Sequence, residues 1–124
     1  MRVNLVSFGF KHGVPGNVGL VLDVRSIRNP HRLLSLRDLT GLHEKVRREV
    51  LRNPFTPALL SHGVLMVERC DRDGRYVLTM GVGCYGGNHR SVAIAEELAR
   101  LLRPRYLVTV KHKDMRDVQA SPPG

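Results

Sequence analysis

The nine residues Gly83-Cys84-Tyr85-Gly86-Gly87-Asn88-His89-Arg90-Ser91 constrain this chain more than any other segment, because they join an apolar run to an amphipathic one. Before them, Tyr76-Val77-Leu78-Thr79-Met80-Gly81-Val82 has the composition of a central strand covered on both faces. After them, Val92, Ala95, Leu98, Ala99 and Leu102 recur at helical spacing, Glu96, Glu97, Arg100 and Arg103 face away, and Pro104 stops the helix. The order is strand, glycine-rich loop, helix.

The rest of the chain repeats that alternation. Val3 to Phe8 reads as a strand ending at the turn-prone Gly9 and Gly13-Val14-Pro15-Gly16, and Gly19 to Val24 reads as a buried strand feeding a basic loop. From His43 to Arg52 the positions Val46, Val50 and Leu51 have helical spacing. Thr56 is placed to cap a second helix, with Pro57 at its first position, Leu60, Val64 and Val67 inward, and Gly63 in its middle. Asp71-Arg72-Asp73-Gly74 reads as a turn, and Tyr106 to Val110 as a last strand before His112, a candidate further member of a strand-end pocket whose plainer reading is a solvent-facing side chain. The pattern predicts an α/β fold: a single layered domain with a largely parallel sheet flanked by helices, its ligand site at the carboxyl ends of the strands.

With 124 residues there is room for one domain, placed at 1–117, and the end of the chain, closing in Gln119 to Gly124 (QASPPG), reads as a disordered tail over 118–124. Lys and Arg outnumber Asp and Glu by 20 to 11, which favours anionic partners without choosing among nucleic acid, phosphorylated metabolites and anionic surfaces. No apolar run approaches the roughly 20 residues that span a bilayer, so no membrane partner is expected. Two cysteines, Cys70 and Cys84, make no disulfide scaffold, and cytoplasmic localisation is the default. Six histidines lack H-x3-H or HExxH spacing, so no metal and no cofactor is expected.

A loop between a strand and a helix start presents unpaired amides, and the helix dipole adds positive potential there. Gly86 and Gly87 allow close backbone approach, while Arg90, His89 and Ser91 supply donors, so a phosphate fits. Lys11 after the first strand, and Arg25 and His31 after the second, are expected to converge on the same pocket, with Asp23 and Asn29 available to hydroxyls or an amine. A surface pair of Asp23 with Arg25 and a turn role for His31 are the plainer alternatives. The spacing Cys84-x5-Arg90-Ser91 also matches cysteine-dependent phosphatases, with Cys84 as nucleophile and Arg90 as oxyanion clamp. No residue in an identifiable acid loop accompanies it, and no Gly-Lys-Ser/Thr follows the glycines as nucleotide hydrolysis of the Walker type requires. A plain strand-to-helix turn with Cys84 as a buried hydrophobe remains open.

Four co-linear motifs carry a resemblance: Ser7-Phe8-Gly9-Phe10-Lys11; Asp23-Val24-Arg25 with Asn29-Pro30-His31; Leu36-Arg37 with Leu39-Thr40-Gly41; and Gly83-Cys84 with Gly86-Gly87 and His89-Arg90-Ser91-Val92. Over nearly its whole length the chain resembles the C-terminal domain of the bacterial RapZ family, once described as P-loop nucleotide-binding proteins. The resemblance implies a regulatory module that binds small RNAs and senses glucosamine-6-phosphate, with self-association as a possible homo-oligomer. The family's Walker motifs belong to an N-terminal domain that this sequence does not contain, so nucleotide hydrolysis and adaptor action on a ribonuclease are not carried over. Tyr85 stands where threonine is common, Asn88 where lysine is, His12 where tyrosine is, and His43 where aspartate is; Asn88 removes one cation from the anion loop.

For RNA, the candidates are Arg47, Arg48 and Arg52 on one helix and Arg100, Arg103 and Arg105 around the end of another. With six aromatic side chains, contact by backbone and shape is expected rather than base stacking. The plain alternative is a solvated face on which Glu44, Glu49, Glu96 and Glu97 pair with these arginines.

Overall fold

A computed structural model describes residues 1–30 and 36–116. The expected tail over 118–124 and the candidate His31 lie outside the described residues. The strands are β1 (Arg2–Gly9), β2 (Leu20–Asp23), β3 (Val77–Cys84) and β4 (Leu107–His112), and the helices are α1 (Glu44–Leu51), α2 (Thr56–Arg72) and α3 (Arg90–Leu102). All pairings are parallel, in the order β2-β3-β1-β4. The fold is therefore α/β, with a four-stranded parallel sheet and three helices among the described residues. Among the described residues, no helix is long and apolar enough to cross a membrane.

Strand alternation decides what the helices cover. Val3 and Leu5 of β1, Leu78, Met80 and Val82 of β3, and Leu22 of β2 are buried together with Ile94, Leu98 and Leu102 of α3. Helix α3 packs on β1, β3 and β4, and α1 and α2 pack on α3. Gly63 lies inside α2 with its backbone against Leu98, so the missing side chain there serves close helix packing.

The expectation that the Tyr76–Val82 run is covered on both faces is corrected. The opposite face of the sheet is open over its amino-terminal part, where Val77, Val21 and Leu107 are 47%, 42% and 70% exposed. A polar ladder crosses it: Asn4 Nδ2 donates to Thr79 Oγ1 at 3.4 Å, and Thr109 Oγ1 donates to Asn4 Oδ1 at 2.6 Å. Toward the carboxyl ends the face is closed by aromatic rings rather than a helix. A Cβ on Gly83 would meet the rings of Phe8 and Phe10, which pack edge to face with centroids 4.9 Å apart. Strand β2 is likewise an edge strand of alternating exposure, not a buried one.

Two local expectations also change. Thr56 is the first residue of α2 and not its cap; its hydroxyl donates to the Val50 carbonyl at 2.6 Å and ties α2 to the end of α1. Glu97 does not face away from the core. It is 6% exposed and receives both Arg47 (3.8 Å) and Arg100.

Leu78→Ala removes a fully buried side chain and is expected to cost about 2–5 kcal/mol. Val77→Thr, one residue earlier on the open face, is expected to stay within about 0.5 kcal/mol. Urea unfolding midpoints at unchanged slope measure both; equal losses would contradict the one-sided sheet.

Candidate functional site

The parallel register sets Gly9 opposite Cys84, so the loops after β1 and β3 emerge side by side at the carboxyl edge. They also touch. A Cβ on Gly9 would collide with the Gly86 carbonyl and stand 2.8 Å from Gly87 N, and Gly87 itself has φ +81°. Only glycine meets both requirements, the first for space and the second for backbone conformation. Lys11 N donates to the Tyr85 carbonyl at 3.1 Å and completes the union of the two loops.

Cys84 sits beneath this junction, 2% exposed. Its Sγ accepts from Gly87 N at 3.2 Å and donates to Ser91 Oγ at 3.1 Å, so the thiol braces the loop against the first turn of α3. His89 precedes the helix and makes no side-chain cap, while the first helical bond of that turn runs from Ala93 N to the His89 carbonyl. The amides of Arg90, Ser91 and Val92 precede that bond and carry the partial positive charge of the helix start.

Over the junction lies a cavity of about 410 Å3. Of the residues expected to bind ligand, Lys11, Cys84, Gly86, His89 and Arg90 line it. Gly87 and Ser91 are buried behind it as supports. His12, Asn29, Tyr85, Asn88, Asp114 and Arg116 complete its wall. Lys11 Nζ stands 5.6 Å from the centre of the Tyr85 ring, a cation–π contact at the rim.

The expected convergence of Arg25 on this pocket is corrected. Arg25 forms a bidentate pair with Asp23, Nη2 to Oδ2 at 2.7 Å and Nε to Oδ1 at 3.0 Å, and its guanidinium stacks 3.9 Å over Phe10. Hydrogen bonding from Arg25 holds the Asp23 carboxyl below the ordinary carboxylate range and raises the guanidinium in turn. The fork of Arg25 is thus taken up by Asp23, as the plainer alternative has it.

Arg90 is 6% exposed, and its Nη1 donates to the carbonyls of Arg25 (3.2 Å) and Ile27 (3.0 Å). One side of its fork therefore fixes the turn after β2, while its Nε is buried without a hydrogen-bond partner. The full bidentate clamp expected of Arg90 is not free. His112, read more plainly as facing solvent, is instead held with Nδ1 2.6 Å from Ser7 Oγ and Nε2 2.8 Å from Glu96 Oε2.

Of the six arginines weighed for RNA, Arg47, Arg48 and Arg52 lie on α1 and at its end, Arg100 is in α3, and Arg103 and Arg105 follow α3 with exposed side chains. Arg47 and Arg100 meet on Glu97, so the α1 and α3 groups adjoin. Arg48 pairs with Glu44 at 2.7 Å, Arg52 with Glu49 at 2.9 Å and Arg105 with Glu68 at 3.5 Å. No cluster of three metal-ligating side chains occurs among the described residues.

Gly87→Ala forces an L side chain to φ +81° against Gly9 N and Asp114 Cβ, and is expected to cost roughly 1–3 kcal/mol. Chemical denaturation of the variant, with amide shifts of Gly9 and Lys11 as the local reporter, measures the cost and its place.

Comparison with known proteins matches residues 1–116 to the RapZ C-terminal domain. A nucleotide-binding protein of Thermus thermophilus is 48% identical over 116 residues, covering 91% of this chain and 42% of the relative. One from Desulforudis audaxviator is 42% identical over 98% of this chain and 43% of its own length, and one from Thermobifida fusca is 43% identical over 93% and 41%. The chain thus spans about two-fifths of the length of the relatives it matches. With the family match running from β1 through the segment after β4, this chain belongs to the RapZ C-terminal domain family.

Proposed function

We propose that this domain is a non-catalytic binding module that takes a phosphorylated small molecule, a sugar phosphate such as glucosamine-6-phosphate, at the carboxyl ends of β1 and β3, and RNA on the arginine-bearing faces of α1 and α3. The observation that carries the first half is the cavity of about 410 Å3 walled by Gly86, His89, Arg90 and Lys11. Its size suits one phosphorylated ring. The phosphate would lie at the start of α3, where the amides and the helix dipole favour an anion, with Lys11 as a mobile point charge. Arg90 adds its field from behind.

A binding role also accounts for Cys84. A nucleophilic thiolate must reach substrate; Cys84 is on the cavity lining but only 2% exposed, its Sγ is engaged by Gly87 and Ser91, and Arg90 spends one side of its fork on the loop after β2. The phosphatase alternative keeps the spacing Cys84-x5-Arg90-Ser91 and the place of Cys84 and Arg90 on the cavity lining.

For RNA, the supporting feature is the junction of the two arginine groups at Glu97. Arg47 and Arg100 share the buried Glu97 carboxylate, whereas the exposed pair of Arg48 with Glu44 contributes only about 0–1 kcal/mol and yields readily to a phosphate.

Calorimetric titration with glucosamine-6-phosphate and with glucosamine tests the first half: only the phosphorylated sugar is expected to bind, and Lys11→Ala to weaken it by roughly 1.5–3 kcal/mol. Cys84→Ser should leave affinity within about threefold, less than roughly 0.7 kcal/mol. Wild-type turnover of an aryl phosphate that vanishes in Cys84→Ser would establish the phosphatase instead. In RNA titrations at several salt concentrations, Arg47→Ala with Arg100→Ala is expected to flatten the log–log salt slope by about one to two units; an unchanged slope would make the arginines solvated surface only.

A further inference from the structure

One wall of the cavity belongs to none of the segments with an assigned role. After β4 the chain crosses the glycine-rich loop and places Asp114 and Arg116 on the cavity lining. The crossing is pinned at several points. Lys113 N donates to the Ser7 carbonyl at 2.9 Å, Gly9 N donates to Asp114 Oδ2 at 2.8 Å, and Arg116 N donates to Asn88 Oδ1 at 3.0 Å. The Arg116 side chain is steadied by Nη2, which donates to the Arg37 carbonyl at 2.7 Å. A guanidinium has five N–H donors, and among the described residues this is the one bond they make.

We propose that Arg116 is a ligand-contacting cation of this cavity and that Asp114 and His112 are the positioning residues that hold it over the glycine-rich loop. The proposal rests on the anion reading of the cavity but concerns residues that reading does not require. Asp114 is the informative member. A carboxylate beside an anion site repels the ligand unless it is engaged, and this one is engaged by Gly9 N and by Lys113 Nζ at 3.1 Å. Its oxygens serve the backbone of β1, so its contribution is to fix the crossing. His112 does the same just earlier in the chain, spanning Ser7 of β1 and Glu96 of α3 with its two ring nitrogens. It thereby fixes the end of β4 from which the crossing departs.

The sign of one substitution separates positioning from simple electrostatics. Asp114→Ala deletes a negative charge next to an anion, so electrostatics alone predicts tighter binding, whereas loss of positioning predicts weaker binding. The test titrates the chain with inorganic phosphate and with glucosamine-6-phosphate at several salt concentrations. Arg116→Ala is expected to weaken binding about tenfold or more, to flatten the salt dependence, and to leave the thermal midpoint within about 3 °C. Arg116→Lys should recover part of the loss. Asp114→Ala and His112→Ala should each weaken binding in the wild-type background and add little in the Arg116→Ala background, the non-additivity of residues acting through one group. Wild-type-like affinity and salt slope in Arg116→Ala, or tighter binding by Asp114→Ala, would overturn this inference alone. Absence of binding of either probe by the wild-type chain would overturn the cavity reading and this inference together.

Discussion

The contact on which the site depends is between two pieces of backbone. Parallel pairing of β1 with β3 brings Gly9 to the level of Cys84, and with no side chain at Gly9 the chain at Gly86–Gly87 folds directly onto it. Everything at the carboxyl edge is built on that approach. It fixes where α3 starts, since His89 and Arg90 follow at once, and it gives Lys11 and Tyr85 a common wall. It also leaves Gly9 N pointing at a partner from a third strand's end, Asp114, so three parallel strands close on one point. A loop held by main-chain contacts on both sides stays in place without a bound ligand to organise it.

Charge in this domain is divided between structure and availability. Basic residues outnumber acidic ones by 20 to 11, but the individual arginines differ in how much of that charge they can offer. Arg25 is paired with Asp23 and stacked on Phe10 away from the cavity lining, and Arg90 is held by two carbonyls, although both come from the segments richest in family motifs. Lys11 and Arg116 are exposed and line the cavity. Asn88 links the two classes: it is neutral within the anion loop, and its side-chain oxygen holds the backbone of Arg116. Arg116 from another strand's end thus stands beside position 88, where the loop's own residue is a neutral asparagine.

Much of this architecture is legible in the order of the residues. The strand, glycine-rich loop and helix from Val77 to Leu102 follow from local periodicity, and the co-linear motifs point to the family that the comparison confirms. What stays hidden depends on strand order. Periodicity places β4 last in the chain but does not say that it pairs with β1, and only that pairing sets Asp114 and Arg116 beside a loop some thirty residues away. The open sheet face is obscured for a related reason. Gly81 and Gly83 make the run look like a strand packed on both sides, while the space they leave is filled by Phe8 and Phe10 from β1 and its following turn. Glu97 has the polar character of an outward helical position, yet arginines from α1 and α3 meet there and accompany its burial.

The cysteine in the loop shows why spacing alone does not assign chemistry. Phosphate transfer by a thiolate and phosphate binding by amides ask for the same glycines, the same helix start and an arginine at the same distance along the chain. They differ in what the sulfur faces. A nucleophile must present its sulfur to the ligand, whereas Cys84 is 2% exposed, with Sγ 3.1 Å from Ser91 Oγ and 3.2 Å from Gly87 N of the loop itself. Both bonds are internal, so the thiol completes a small buried network whose effect is to fix the angle between the loop and α3. In that role the sulfur acts on the ligand only through the amides it helps to aim.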